Sequence, residues 1–172
     1  MTAERAPLRG LRVLVTRKPD QARDLIDGLE VLGATVNAIP LIEILPPEDP
    51  APLLAALTHL SRYDWVAFTS ANAVQAMHQC IDKLGIVLPS NLRIASVGRS
   101  TSNACAALLE RSADLQPESD FRAEGLARAF GELGTPPQRV LLPVSSRARE
   151  ALEAVLRWRG SEVDRVVAYR TE

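Results

Sequence analysis

Apolar residues recur along the chain in two alternating rhythms. Short β-branched runs at Leu11–Thr16, Trp65–Thr69, Arg93–Val97, Val140–Pro143 and Glu162–Tyr169 read as buried strands. Between them lie stretches with helical spacing. Ala22, Leu25, Ile26, Leu29 and Leu32 line one face of Asp20–Leu32, and Gly33 stops that helix. The same spacing predicts helices over Leu53–Leu60, Ala71–Leu84, Thr101–Arg111, Ala123–Leu133 and Ala148–Arg159, the last ending at Gly160. Thr35–Ile44 is strand-like, but Pro40 cannot donate to a ladder, so it reads as an extended segment that leaves one sheet and crosses elsewhere. Pro46, Pro47, Pro50 and Pro52 mark a turn and the next helix start. The alternation predicts an α/β protein with parallel sheets and right-handed crossovers.

The pattern also repeats. Offset by 127 positions, Arg12–Ile39 aligns without a gap on Arg139–Val166, with identities at Arg12/Arg139, Val13/Val140, Leu14/Leu141, Leu25/Leu152, Leu29/Leu156, Gly33/Gly160 and Val36/Val163. Any two strand–helix–glycine–strand units share some of this spacing, so chance similarity and true repetition both stand. If the repeat is real, its second copy has 34 residues up to and including Glu172, and a continuation of the chain is expected. The N-terminal unit would then lack partners for Leu14, Leu25 and Leu29, and association or domain swapping is expected there.

Composition removes several function classes. The 20 basic and 21 acidic residues nearly cancel, which argues against a nucleic-acid or anionic-membrane binder. Apolar residues make up 47% of the chain, enough for a packed core, and no apolar run approaches the roughly 20 residues of a membrane span. Met1–Arg9 is polar and includes Glu4, which is unlike a secretory signal, so the expected location is cytoplasmic. Cys80, Cys105, His59 and His78 lack metal-ligand spacing. Apart from Lys18 and Lys83 every basic residue is arginine, a bidentate partner for carboxylates or a compositional bias.

Candidate chemistry sits at strand ends. Four apolar runs lead into small, hydroxyl-rich turns: Thr16-Arg17-Lys18-Pro19, Thr69-Ser70-Ala71-Asn72-Ala73, Gly98-Arg99-Ser100-Thr101 and Val144-Ser145-Ser146-Arg147. Open α/β sheets bind ligands at the carboxyl ends of their strands, and Gly98 would let backbone approach a ligand closely. Each turn alone is equally a helix cap, whereas four on one edge suggest a binding face for anions. There is no nucleophile elbow, dinucleotide fingerprint or Walker sequence. Tyr169, one of two tyrosines, is either a packed ring or a functional phenol.

At these turns the chain resembles the uroporphyrinogen-III synthase family. The matching stretches are Val15-Thr16-Arg17, Asp64–Val74 (DWVAFTSANAV), Val97-Gly98-Arg99-Ser100-Thr101, Ser119 with Glu124-Gly125-Leu126, and Val167-Ala168-Tyr169-Arg170-Thr171. The resemblance implies two similar parallel-sheet α/β domains joined by a two-stranded ladder, the first of them discontinuous and incomplete here. The implied boundaries are 1–38 for the first part of domain 1, 39–44 for a linker strand, 45–165 for domain 2 and 166–172 for the return strand. It further implies a hydro-lyase that cyclises the linear tetrapyrrole hydroxymethylbilane to uroporphyrinogen III, losing water and inverting the last ring. No metal or organic cofactor is implied. The full-length enzyme would be a monomer with this small-molecule substrate and without nucleic-acid or membrane partners.

Carried over by residue, Tyr169 is the implied general acid. Thr16, Arg17, Ser70, Ala71, Asn72, Gly98, Thr101, Ser119, Ser145 and Arg147 are the candidate substrate-binding positions, with Arg17 and Arg147 as carboxylate partners. The alternatives are a non-catalytic α/β module that recognises an anionic ligand, and a plain structural domain.

Overall fold

The computed structural model describes residues 6–172, so Glu4 and its neighbours lie outside the described residues. The chain divides into two compact units. One runs to Glu43 and takes in Glu172; the other is Ile44–Thr171. Among the described residues no helix is long and apolar enough to cross a membrane, and no cluster of three or more His, Cys, Asp or Glu could hold a metal ion.

The first unit is one β–α–β turn of chain. Strand β1 (Arg12–Val15) leads through helix α1 (Pro19–Val31) to β2 (Thr35–Ala38), which pairs with β1 in parallel. The predicted break at Pro40 is present: residues 39–43 are outside any strand. Glu43 and Glu172 exchange two backbone hydrogen bonds of 2.7 and 3.1 Å.

The second unit continues with β3 (Ile44–Leu45), α2 (Ala51–Thr58), β4 (Trp65–Phe68), α3 (Ala71–Leu84), β5 (Arg93–Ser96), α4 (Arg99–Leu108), α5 (Ala123–Glu132), β6 (Arg139–Ser145), α6 (Ala151–Trp158) and β7 (Glu162–Thr171). Its five strands lie in the order β3-β7-β6-β4-β5. All pair in parallel except β3, whose two residues run antiparallel to Thr171 and Arg170. Every residue of β4 is buried, as a central parallel strand requires. One face of the sheet packs Leu53, Phe68, Val74 and Met77 beneath α2 and α3. The other packs Trp65, Leu126, Phe130, Leu152 and Leu156 beneath α5 and α6. There Trp65 meets Phe130 edge to face at 5.3 Å between centroids.

The structure carries the sequence repeat down to hydrogen-bond register. Arg12 opposes Thr35 and Val13 opposes Val36, while Arg139 opposes Glu162 and Val140 opposes Val163, each pair displaced by the same 127 positions. Gly33 and Gly160 adopt the same left-handed conformation, φ +92° and +93°, where a side chain would be strained. Burial is where the copies part. Leu141 and Leu152 are 0% and 1% exposed; their counterparts Leu14 and Leu25 are 57% and 52% exposed. The second copy lies inside a five-stranded sheet, the first in a two-stranded one.

Cys105 is fully buried in the α2–α3 face, and burial pushes its thiol from an ordinary value of 9.0 to about 12. Unfolded, this thiol ionises near pH 9; folded, it holds its proton, so the native state binds more protons and loses stability as pH rises. Denaturation midpoints between pH 9 and 11 are expected to fall, with about 1.4 kcal/mol per pH unit coming from this one group. The Cys105→Ala chain is expected to show a shallower decline. Some slope persists, because burial also raises Cys80 and Tyr63.

Candidate functional site

The cleft of interest follows from one proline. Successive residues of a strand bond to opposite neighbours. On β6 the Gln138 carbonyl takes the Glu162 N–H on the β7 side, and the Arg139 carbonyl takes the Asp64 N–H on the β4 side. Residues 141 and 143 therefore face β4 as well, and Pro143 has no N–H to give. The β4–β6 ladder stops at Val66↔Leu141. Beyond it the strand ends separate, and a cleft of about 320 Å³ opens between Thr69 and Ser70 on one side and Leu142, Val144 and Ser145 on the other.

Topology points to the same place. From β4 the chain turns onto one face of the sheet as α3 and reaches β5; from β6 it turns onto the other face as α6 and reaches β7. The direction of winding thus reverses between β4 and β6, which is where open α/β sheets form ligand crevices.

Tyr169 closes the cleft. At the end of β6 the register slips: Val144 opposes Val167, yet Ser145 opposes Tyr169, leaving Ala168 as an extra residue on β7. Such a bulge re-aims the side chain that follows it. The Tyr169 ring packs in the core at 8% exposure, and its Oη lies 3.0 Å from Ser70 Oγ, 99 residues away in sequence. The ring is thus packed in the core, and its phenol is aimed at Ser70.

Ser70 is held in turn. It is the N-cap of α3, and its Oγ accepts the Ala73 N–H at 3.1 Å. The hydroxyl sits at the positive end of a 14-residue helix, next to the phenol.

Around this pair the other sequence candidates are distributed as follows. Ala71 and Asn72 form the first turn of α3 and are half-buried. Ser145 lines the cleft and its Oγ accepts the Arg147 N–H at 3.3 Å, while the Arg147 side chain is exposed. Gly98 and Thr101 follow β5, beside β4; Thr101 is buried in the first turn of α4. Gly98 is extended at φ −177°, so its conformation does not demand glycine. Its closeness is to Phe121, whose Cβ would lie 3.1 Å from an added Cβ. Ser119 is exposed on the loop before α5. Thr16 and Arg17 belong to the first unit, exposed at the end of β1.

Two matched motifs explain scaffold rather than chemistry. Asp64, which opens DWVAFTSANAV, accepts the Gln138 and Arg139 N–H groups at 2.8 Å each, tying the starts of β4 and β6 at the far end of the sheet. Gly125 is buried under the 119–122 loop, and a Cβ there would overlap the Asp120 carbonyl oxygen. Arg128 holds the same loop through Asp120 at 2.5 Å.

Sequence reasoning missed Arg122 and Arg149, which line the cleft. One signal was available. Arg122 is the N-cap of α5 and Arg149 stands two residues before α6, and a helix dipole disfavours cations at that end. A local rule broken in this way often marks a functional position.

Comparison with known proteins completes the picture. The family model for uroporphyrinogen-III synthase HemD (HEM4) matches residues 23–172. A uroporphyrinogen-III synthase of Synechococcus elongatus is 34% identical over 96% of this chain and 62% of its own length. The porphyrin biosynthesis protein HemD of Ruminiclostridium josui is 30% identical over 96% of this chain and 33% of its own length. A crystal structure of a mutant uroporphyrinogen III synthase from Thermus thermophilus superposes with a TM-score of 0.66 at 18% identity, covering 94% of this chain and 63% of that one. The chain thus spans less than two thirds of the length of each.

Proposed function

The chain belongs to the uroporphyrinogen-III synthase family, and on that premise we propose that it takes part in closing hydroxymethylbilane to uroporphyrinogen III, a step of tetrapyrrole biosynthesis. The observation that carries the reading is the Tyr169 phenol, bonded to the capping hydroxyl of Ser70 inside a cleft at the sheet's switch point. In this reading Tyr169 gives its proton to the departing hydroxyl of the substrate, which leaves as water. The cation left behind is attacked by the last ring at its already substituted carbon. The bond from that ring to its neighbour then breaks and re-forms at the ring's free carbon, which inverts the ring, and the proton shed from that carbon restores the phenol. A general acid of this kind contributes about 10²–10⁴-fold, and holding a flexible chain in a cyclisable pose contributes more.

Ser70, Ala71, Asn72, Gly98, Thr101 and Ser145 are proposed to hold substrate carboxylates through hydroxyls and backbone N–H groups. Thr16, Arg17, Ser119 and Arg147 are proposed on the family pattern. The test is to incubate the gene product containing these residues with hydroxymethylbilane and to separate the porphyrin isomers. Isomer III supports the reading. Isomer I alone, at the uncatalysed rate, overturns it, and tight tetrapyrrole binding without conversion then assigns a binding module instead.

The first unit adds a proposal about partners. Leu14, Leu25, Val31, Leu41 and Ile42 are exposed in it, and apolar surface of this kind favours association. The 172-residue chain is expected to show a mass above 18.7 kDa that rises with concentration in light scattering. The Leu14→Lys, Leu25→Lys double variant is expected to lower it, and a concentration-independent monomer would exclude association.

A further inference from the structure

The cleft beside Tyr169 has two chemically distinct zones. Its inner end is apolar and touches the core residues Leu142, Val144 and Leu152, each no more than 2% exposed. Its rim carries two guanidinium groups. Arg122 is exposed and makes no ion pair among the described residues. The Arg149 side chain is 87% exposed and, among the described residues, its ion pair is with Glu124 at a loose 3.8 Å. An exposed pair of this length contributes little, so Arg149 can exchange Glu124 for another carboxylate at small cost. The volume of about 320 Å³ lies at the small end of the range for ligand sites, enough for one substituted ring and too small for four.

We propose that this cleft is a subsite for a single pyrrole ring, the ring held in the cleft mouth and its acetate and propionate carboxylates on Arg122 and Arg149. The assignment rests on the proposed function for the identity of the ring, and it adds two binding residues to it. Planar guanidinium groups bond carboxylates through two parallel N–H donors, which fixes orientation as well as affinity. The ring is thereby turned with its edge towards Tyr169 and Ser70 on the facing wall. Glu124 acts as a gate of charge, holding Arg149 at the rim when the cleft is empty and yielding it to the incoming acid.

The probe is 3-carboxymethyl-4-(2-carboxyethyl)pyrrole, titrated calorimetrically into the 172-residue chain, with its dimethyl ester as control. The diacid is expected to bind one to one and to shift the amide resonances of Ala123, Ser145 and Leu152. The ester, lacking charge, is expected to bind at least tenfold more weakly. Arg122→Ala and Arg149→Ala are each expected to weaken diacid binding about tenfold with unchanged circular dichroism, Arg149→Lys to recover part of the loss, and Glu124→Gln to strengthen it. Absence of diacid binding, equal binding of diacid and ester, or undiminished binding in the Arg122→Ala, Arg149→Ala double variant overturns the proposal. The isomer assay separates this failure from failure of the function: isomer III formed with an unchanged KM in the double variant removes the subsite and leaves the synthase. Diacid binding lost in the variants, without isomer III from the parent protein, leaves the subsite and removes the synthase.

Discussion

Replacing Tyr169 with Phe is expected to lower turnover of hydroxymethylbilane by about a hundredfold or more while the protein stays folded. The substitution removes one oxygen atom. The ring keeps its place in the core cluster with Val166 and Ala168, so little packing is lost. Ser70 Oγ keeps the Ala73 N–H, and the loss of one hydrogen bond costs about 1 kcal/mol. The proposed proton donor, by contrast, is gone altogether. The readouts are kcat for uroporphyrinogen III and the denaturation midpoint of the same preparation. A hundredfold loss of kcat with a midpoint near that of the parent supports the role; unchanged kcat removes Tyr169 from the chemistry. Ser70→Thr should keep most of the activity, since threonine can still cap α3 and bond the phenol.

Gly125→Ala is expected to be among the most destabilising single-methyl changes in the second unit. The added Cβ would overlap the carbonyl oxygen of Asp120, a backbone atom held by the Arg128–Asp120 pair, so neither side can yield by turning a side chain. Overpacking of this sort costs about 1–3 kcal/mol and occasionally more. For a domain of this size the upper figure lowers Tm by roughly 6–12 °C. Arg122 and Glu124 flank the position and line the cleft, so the shift should also displace the cleft rim. Thermal unfolding measures the first effect, and weaker binding of the pyrrole diacid the second. A melting temperature unchanged to within a degree would show that the loop moves aside freely.

The elements were legible because their signals are local. Helix Ala71–Leu84 has the predicted ends, since Ser70 caps it and Gly85 at φ +64° closes it. Most other boundaries moved by one to three residues. One shift bears on the site: β6 runs to Ser145 instead of ending at Pro143. Pro143 lies inside this strand. It is tolerated mid-strand because the ladder it cannot join has already ended on that side.

The site was legible only in part. Ser70 and Ser145 were found because hydroxyl-rich turns after apolar runs mark strand ends in any α/β chain. Arg122 and Arg149 were passed over because a basic residue near a helix start has no period and no motif to announce it. Gly98 has a close approach that spacing could not show, to Phe121 of its own chain.

By itself, then, the sequence determined the order of strands and helices, the spacing shared by its two strand–helix–glycine–strand units, and the set of hydroxyls at strand ends. These depend on contacts between near neighbours, and the period of apolar residues records them directly. Only the tertiary structure decided that Tyr169 meets Ser70, that the β4–β6 gap is the cleft, and that Leu141 is buried while Leu14 is exposed. The first depends on a one-residue bulge between distant strands, the second on the side to which Pro143 points, and the third on how many strands surround each copy. None of these leaves a trace in spacing along the chain, because each is fixed by pairing between segments tens of residues apart.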